Sequence, residues 1–103
     1  MSEKIILGKT IQVDESGYLL KLDEWSKEIA LELAKEENIE LTPKHFEVLE
    51  YLRTEFKKGE PLTIRKIGKS GVTDIKEFYV LFPGGPLKIS SKLAGIPKPT
   101  SCV

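Results

Sequence analysis

The chain is poor in the residues that staple small secreted proteins or build metal centres: it has one cysteine, Cys102, and one histidine, His45, among 103 residues. A lone thiol excludes an internal disulfide, and a single Cys with a single His gives no basis for a zinc site of familiar ligand type. No apolar run approaches the roughly 18–20 residues that a membrane span requires. Met1 to Gly8 is too short an apolar stretch for a signal peptide. Net charge is missing as well: 16 basic and 16 acidic side chains cancel. That balance disfavours nucleic acid as a partner, because phosphate binding draws on a clustered positive field. Neither an internal repeat nor a linker breaks the chain. The expectation is one cytoplasmic domain over residues 1–103, with no metal, cofactor or membrane partner.

What is present suffices for a core. Hydrophobic residues make up 40% of the sequence, and they are patterned. Lys4 to Leu7 and Thr10 to Val13 are short β-branched runs with Gly8-Lys9 as a tight turn between them. Asp14-Glu15-Ser16-Gly17 is a second turn signal, and Tyr18 to Leu20 follows as a third short strand. The first 20 residues therefore form a small β-meander, which must lean on helices to be stable.

Helical signals fill residues 23–94. Asp23 is placed to cap a helix running to about Lys35, with Trp25, Ile29, Leu31, Leu33 and Ala34 as its apolar face. Thr42 caps the next, Pro43 takes its first position, and Phe46, Leu49, Leu52 (or Tyr51) and Phe56 form a stripe ending at Lys57-Lys58-Gly59. A short helix spans Leu62 to Ile67 and stops at Gly68 or Ser70-Gly71. Thr73 or Asp74 caps another reaching about Phe82, with Ile75, Phe78, Tyr79 and Phe82 inward. Pro83-Gly84-Gly85 breaks the chain, Pro86 restarts a helix carrying Leu87, Ile89, Ser90 and Leu93, and Gly95 ends it. The fold class is α+β: a β-meander on about five helices, with an extended arm over 95–103.

Cys102 stands at the end of that arm, behind Pro97 and Pro99, each of which fixes its own φ and extends the residue before it. An incidental exposed thiol is the bland explanation. Against it, exposed reactive thiols oxidise and cross-link and are usually avoided. A thiolate there can accept a sulfane sulfur and release it again. Lys98 and Lys92 favour the anion, and the terminal carboxylate opposes it. His45, one turn into its helix beside Phe46, reads as a partly buried packing residue or a helix-start residue. Leu62 to Phe82, two short helices across a glycine turn near Lys57, Lys58, Arg65, Lys66 and Lys69, also fits a helix-turn-helix DNA-binding unit.

The ending Leu93-Ala94-Gly95-Ile96-Pro97-Lys98-Pro99-Thr100-Ser101-Cys102-Val103 resembles the signature tail of the DsrC/TusE family of sulfur-relay proteins. Tyr79 to Lys88 is similar to that family's Leu-Phe-Pro-x-Gly-Pro-x-Lys segment. Asp14 to Leu19, Trp25, Leu41 to His45 and Ile64-Arg65 match more weakly, in the same order. The resemblance implies a β-meander against a helical array, a persulfide carried on Cys102, and basic positions at Arg65, Lys88 and Lys98 that support the site or contact a partner. The implied partners are an upstream sulfur-donor protein and a downstream acceptor enzyme. Members serving dissimilatory sulfite reductase typically carry a second arm cysteine where this chain has Ser91, and a serine cannot form their internal disulfide or trisulfide. The single-cysteine pattern looks more like TusE-type relay towards tRNA wobble-uridine thiolation, with the sulfite reductase gamma component as the alternative. Either role is a sulfurtransferase-like relay more than a self-contained enzyme.

Overall fold

The structure is a computed structural model that describes residues 2–60 and 62–98. The end of the arm, Cys102 included, lies outside the described residues.

The α+β class expected from the sequence holds. An antiparallel pair, β1 (Ser2–Ile6) and β2 (Lys9–Val13), precedes five helices: α1 (Lys27–Glu36), α2 (Pro43–Lys57), α3 (Ile64–Lys69), α4 (Ile75–Leu81) and α5 (Pro86–Leu93). The strands run in register from Ser2↔Val13 to Ile6↔Lys9. Their two-residue turn is Leu7-Gly8, one position earlier than expected, with φ of 54° and 78°. Both positive angles suit a hairpin whose twist matches its strands, and Gly8 adopts its angle without steric cost. Ile11 and Val13 alternate inward from β2 to join the core.

Tyr18 to Leu20 narrows from an expected third strand to a single antiparallel bridge, Val13↔Leu19. The Asp14 carboxylate explains the short pairing. It accepts from the backbone N–H groups of Ser16 (2.8 Å) and Tyr18 (3.0 Å), closing a tight turn. Leu19 is then buried, and the chain passes into a 3₁₀ turn at Leu22–Glu24.

Helix α1 starts later than expected. Asp23 lies in the 3₁₀ turn, Trp25 is extended (φ −83°, ψ 146°), and the cap is Ser26, whose hydroxyl accepts from the Ile29 N–H. Its buried face is Ile29, Ala30, Leu33 and Ala34, while Leu31, expected inside, is exposed. Leu31 sits about 200° around the helix from Ile29, so both cannot face one core.

Helix α2 is capped by Thr42 with Pro43 at its first position, as expected. Its buried stripe, however, is His45, Val48, Leu49, Leu52 and Arg53, rotated from the expected one so that Phe46 is half-buried and Phe56 exposed. His45 accounts for the rotation. Its Nδ1 accepts the Thr42 N–H at 3.1 Å, completing a capping box, so Nε2 carries the ring proton and donates to the Leu81 carbonyl at 2.9 Å. One ring thus ties the start of α2 to the end of α4, edge-on to Phe82 at 5.1 Å.

Helix α3 runs past Gly68 to Lys69, because Gly68 is a packing residue: a Cβ there would stand 2.4 Å from the Ile75 side chain. Asp74 caps α4, which buries Phe78 and, just beyond its end, Phe82. Ile75 and Tyr79, both expected inward, are about half exposed (45% and 47%), since α4 packs by one side only. Helix α5 runs from Pro86 to Leu93, and Gly95 follows its cap with φ 70°. No helix among the described residues is long and apolar enough to cross a membrane.

Replacing His45 with Ala removes a cap contact and leaves the Leu81 carbonyl without its donor. Denaturant unfolding should show a loss of about 2–3 kcal/mol. A loss within error of zero would contradict the double-tie role.

Candidate functional site

The described part of the arm is its root, and the fold concentrates unusual polar chemistry there. Helix α5 ends in a Schellman arrangement: the Ile96 N–H donates to the Ser91 carbonyl (3.2 Å) and the Gly95 N–H to the Lys92 carbonyl (3.3 Å). Two carbonyls of the last turn are then taken by side chains from elsewhere. Trp25 Nε1 donates to the Leu93 carbonyl at 2.7 Å, and Arg53 Nη1 donates to the Ala94 carbonyl at 2.9 Å. Arg53 Nη2 donates to the Leu22 carbonyl at 2.9 Å, and the guanidinium lies 4.4 Å from the centroid of the Trp25 ring.

Gly95 fits beneath this pair. A Cβ at residue 95 would come within 2.4 Å of Trp25 Cδ1, so the close approach and the positive φ both require glycine. Gly95 and Ile96 are buried, whereas Pro97 and Lys98 are exposed. The chain is therefore gripped as far as Ile96. Burial lowers the pKa of Arg53 and the charge of Glu50 opposes that shift. An arginine keeps its proton through such a change, so both donors persist.

Beside the root is a cleft of about 360 Å³ lined by Lys88, Lys92 and Lys98 with Ser16, Tyr18 and Glu37. Lys92 Nζ faces Glu37 Oε2 at 3.4 Å, which leaves the cleft with a net positive lining. The Tyr18 phenol is held above its ordinary pKa by burial, with the charges of Asp14 and Glu37 acting in the same direction. It stays protonated and donates to the Lys88 carbonyl at 3.1 Å, tying the β-turn segment to α5. A local positive field of this kind favours anions, thiolates among them.

The expected site residues separate accordingly. Lys88 and Lys98 line the same cleft, together with Lys92. Arg65 is exposed on α3 and is not part of that lining. Cys102 falls outside the described residues. His45, with both ring nitrogens engaged, is structural. Arg53 was not singled out from the sequence, although a charged residue four positions after Leu49 on an apolar stripe was the available signal.

Ser91 is fully buried, and its hydroxyl has no hydrogen-bond partner among the described residues. Ser91→Ala should leave stability unchanged or raise it by up to about 1 kcal/mol. Gly95→Ala should lower it by about 1–3 kcal/mol through backbone strain, before any clash with Trp25 is counted. Urea unfolding of both variants checks this contrast, and equal midpoints would refute the packing described here.

The family profile described as DsrC like protein matches residues 5–103. Over its full length the chain is 39% identical to the dissimilatory-type sulfite reductase gamma subunit of Nitratidesulfovibrio vulgaris, covering 100% of that protein. It is also 37% identical to the sulfurtransferase TusE of Escherichia coli K12, over 96% of this chain and 98% of TusE. Among solved structures, the oxidized gamma subunit (DsrC) from Archaeoglobus fulgidus superposes with a TM-score of 0.82 at 38% identity, covering 99% of this chain and 100% of that one.

Proposed function

The chain belongs to the DsrC-like family of sulfur carriers, and on that premise we propose that Cys102 receives persulfide sulfur from a donor protein and hands it to an acceptor enzyme. The observation that carries this reading is the reach of the family match: it runs to residue 103 and so includes the only thiol in the sequence. Residues 1–103 act as one domain in this account, working in the cytoplasm, where thiols stay reduced.

The chemistry balances without an added oxidant or reductant. The Cys102 thiolate attacks the terminal sulfur of a donor persulfide. The donor's S–S bond breaks, its electron pair leaves with the donor thiolate, and a new S–S bond forms on Cys102. In the second step an acceptor thiolate attacks that terminal sulfur and Cys102 departs as thiolate. Lys88 and Lys98 support the anionic species by lining a positive cleft beside the arm root. A contribution from Arg65 would have to come through partner contact, since it stands apart from the cleft.

Between the two named roles, Ser91 favours single-thiol relay of the TusE kind. The position that would hold a second arm cysteine carries a hydroxyl, buried in α5. Association with a dissimilatory sulfite reductase is the second reading, supported by the similarity to the gamma subunit. Ser91 removes the internal-disulfide cycle from that role but leaves docking intact.

Incubation with inorganic polysulfide followed by intact-mass measurement should show one added sulfur on the wild type and none on Cys102→Ser. An equal adduct on both, or none on the wild type, would falsify the proposal.

A further inference from the structure

Residues 62–82 hold a charge imbalance that the neutral total of the chain conceals. Their cations are Arg65, Lys66, Lys69 and Lys76, and their only carboxylates are Asp74 and Glu77. Both carboxylates are occupied within the fold. Asp74 accepts the Glu77 N–H as the cap of α4, while Glu77 accepts the Thr73 hydroxyl at 2.6 Å and faces Lys44. Lys66 pairs with Glu55 and Glu60. Arg65, Lys69 and Lys76 are exposed and form no ion pair among the described residues. Arg65 and Lys69 lie one turn apart on the same face of α3.

Exposed hydrocarbon gathers beside those cations. Of the large hydrophobic side chains exposed on the described surface, three belong to the short helix α4: Ile75, Tyr79 and Val80, the last 72% exposed. At about 100° per residue, these three and Lys76 occupy one continuous arc of about 140° around α4. Phe78 lies outside that arc, in the core. Gly68 packs against the Ile75 side chain, which brings the end of α3, where Lys69 stands, to the start of this strip.

Resting on the carrier reading, which requires contact with other proteins, we propose that the α3–α4 face docks an acidic, apolar-bearing segment of a partner protein. Ile75, Tyr79 and Val80 receive its hydrocarbon, and Arg65, Lys69 and Lys76 receive its carboxylates. Arg65, which is absent from the cleft lining, thereby gains a part of its own. Two other occupants fit less well. Phosphate binding usually neutralises about 6–10 phosphates, more than three cations can serve. The helix that would read a DNA groove, α4, also presents mainly hydrocarbon there. A second copy meeting this face about a two-fold axis would set cations against cations. Three apolar side chains bury little area, and charges around them speed encounter, which suits a partner that must leave after transfer.

Titration of the isotope-labelled full chain, followed by amide NMR, tests this. The probe is a synthetic helical peptide of about 18 residues with leucines along one face and glutamates flanking them. It should shift the amide resonances of α3 and α4 saturably. A control peptide with lysine for each glutamate, and another with serine for each leucine, should not. The double variant Lys69→Glu, Lys76→Glu should weaken binding by about tenfold, and Val80→Ser by about threefold or more. All three positions are exposed, so the melting transition should stay that of the wild type. No saturable shift with the acidic peptide, equal shifts with a control, or shifts outside α3 and α4 overturn the proposal. So does a DNA duplex of about 20 base pairs that binds the same amides at physiological salt while the acidic peptide does not. A dimer in sedimentation that Val80→Ser dissociates overturns it in favour of a second copy. Polysulfide loading of the wild type keeps the two readings apart. A chain that takes up no sulfur sinks the carrier reading whatever the peptide does, whereas loading without peptide binding sinks the docking face alone.

Discussion

The guanidinium of Arg53, reaching from the middle of α2 to the carbonyls of Leu22 and Ala94, is the interaction on which the rest of this structure depends. It explains features that look unrelated in the sequence. Trp25 is extended where it lies over the guanidinium, so the chain does not continue as a helix from Asp23, and α1 begins at Lys27, capped by Ser26. Gly95 must be glycine because Trp25 occupies the space of its Cβ. The end of α5 is consequently held by three parts of the chain: the 22–25 segment, α2 and its own last turn. Two charge-assisted hydrogen bonds of this sort contribute about 1.5–3 kcal/mol each, against the cost of dehydrating the cation. Their larger effect is geometric.

That geometry suggests a division of labour. The helical body makes a base, and a cleft with a positive lining flanks the point where the chain leaves α5. Relay proteins have no need of a closed active site, because each partner brings half of the reacting pair. The carrier must keep its thiol accessible, prevent it from pairing internally, and present it in a reproducible direction. The lone cysteine, with a buried serine at 91, meets the second demand.

Much of the fold was legible wherever local chemistry decides it. Thr42-Pro43 opened α2, Lys57-Lys58-Gly59 closed it, Asp74 capped α4, and Pro86 and Gly95 bounded α5, each by a cap or backbone preference that acts within a few residues. What went unread was long-range. The rotation of α2 follows from His45 bonding to Leu81 and from Arg53 bonding to Leu22 and Ala94, contacts that no window of one helix contains. Of the two stops expected for α3, Ser70-Gly71 holds and Gly68 does not, because Gly68 packs against Ile75 of the next helix. The thiol itself stood out because it was alone, whereas the residues that grip the arm root carried only the faint signal of a charge on an apolar stripe.

Amide hydrogen exchange at the arm root tests the anchoring most directly. The N–H groups of Ala94, Gly95 and Ile96 donate to Ser90, Lys92 and Ser91 beneath Arg53 and Trp25. Exchange of Ile96 should be as slow as that of Leu49 and Leu52 in the centre of α2, opening only when the domain unfolds. If Ile96 instead exchanges as fast as a fraying helix end while Leu49 stays protected, the root is not held by Arg53 and Trp25 as described.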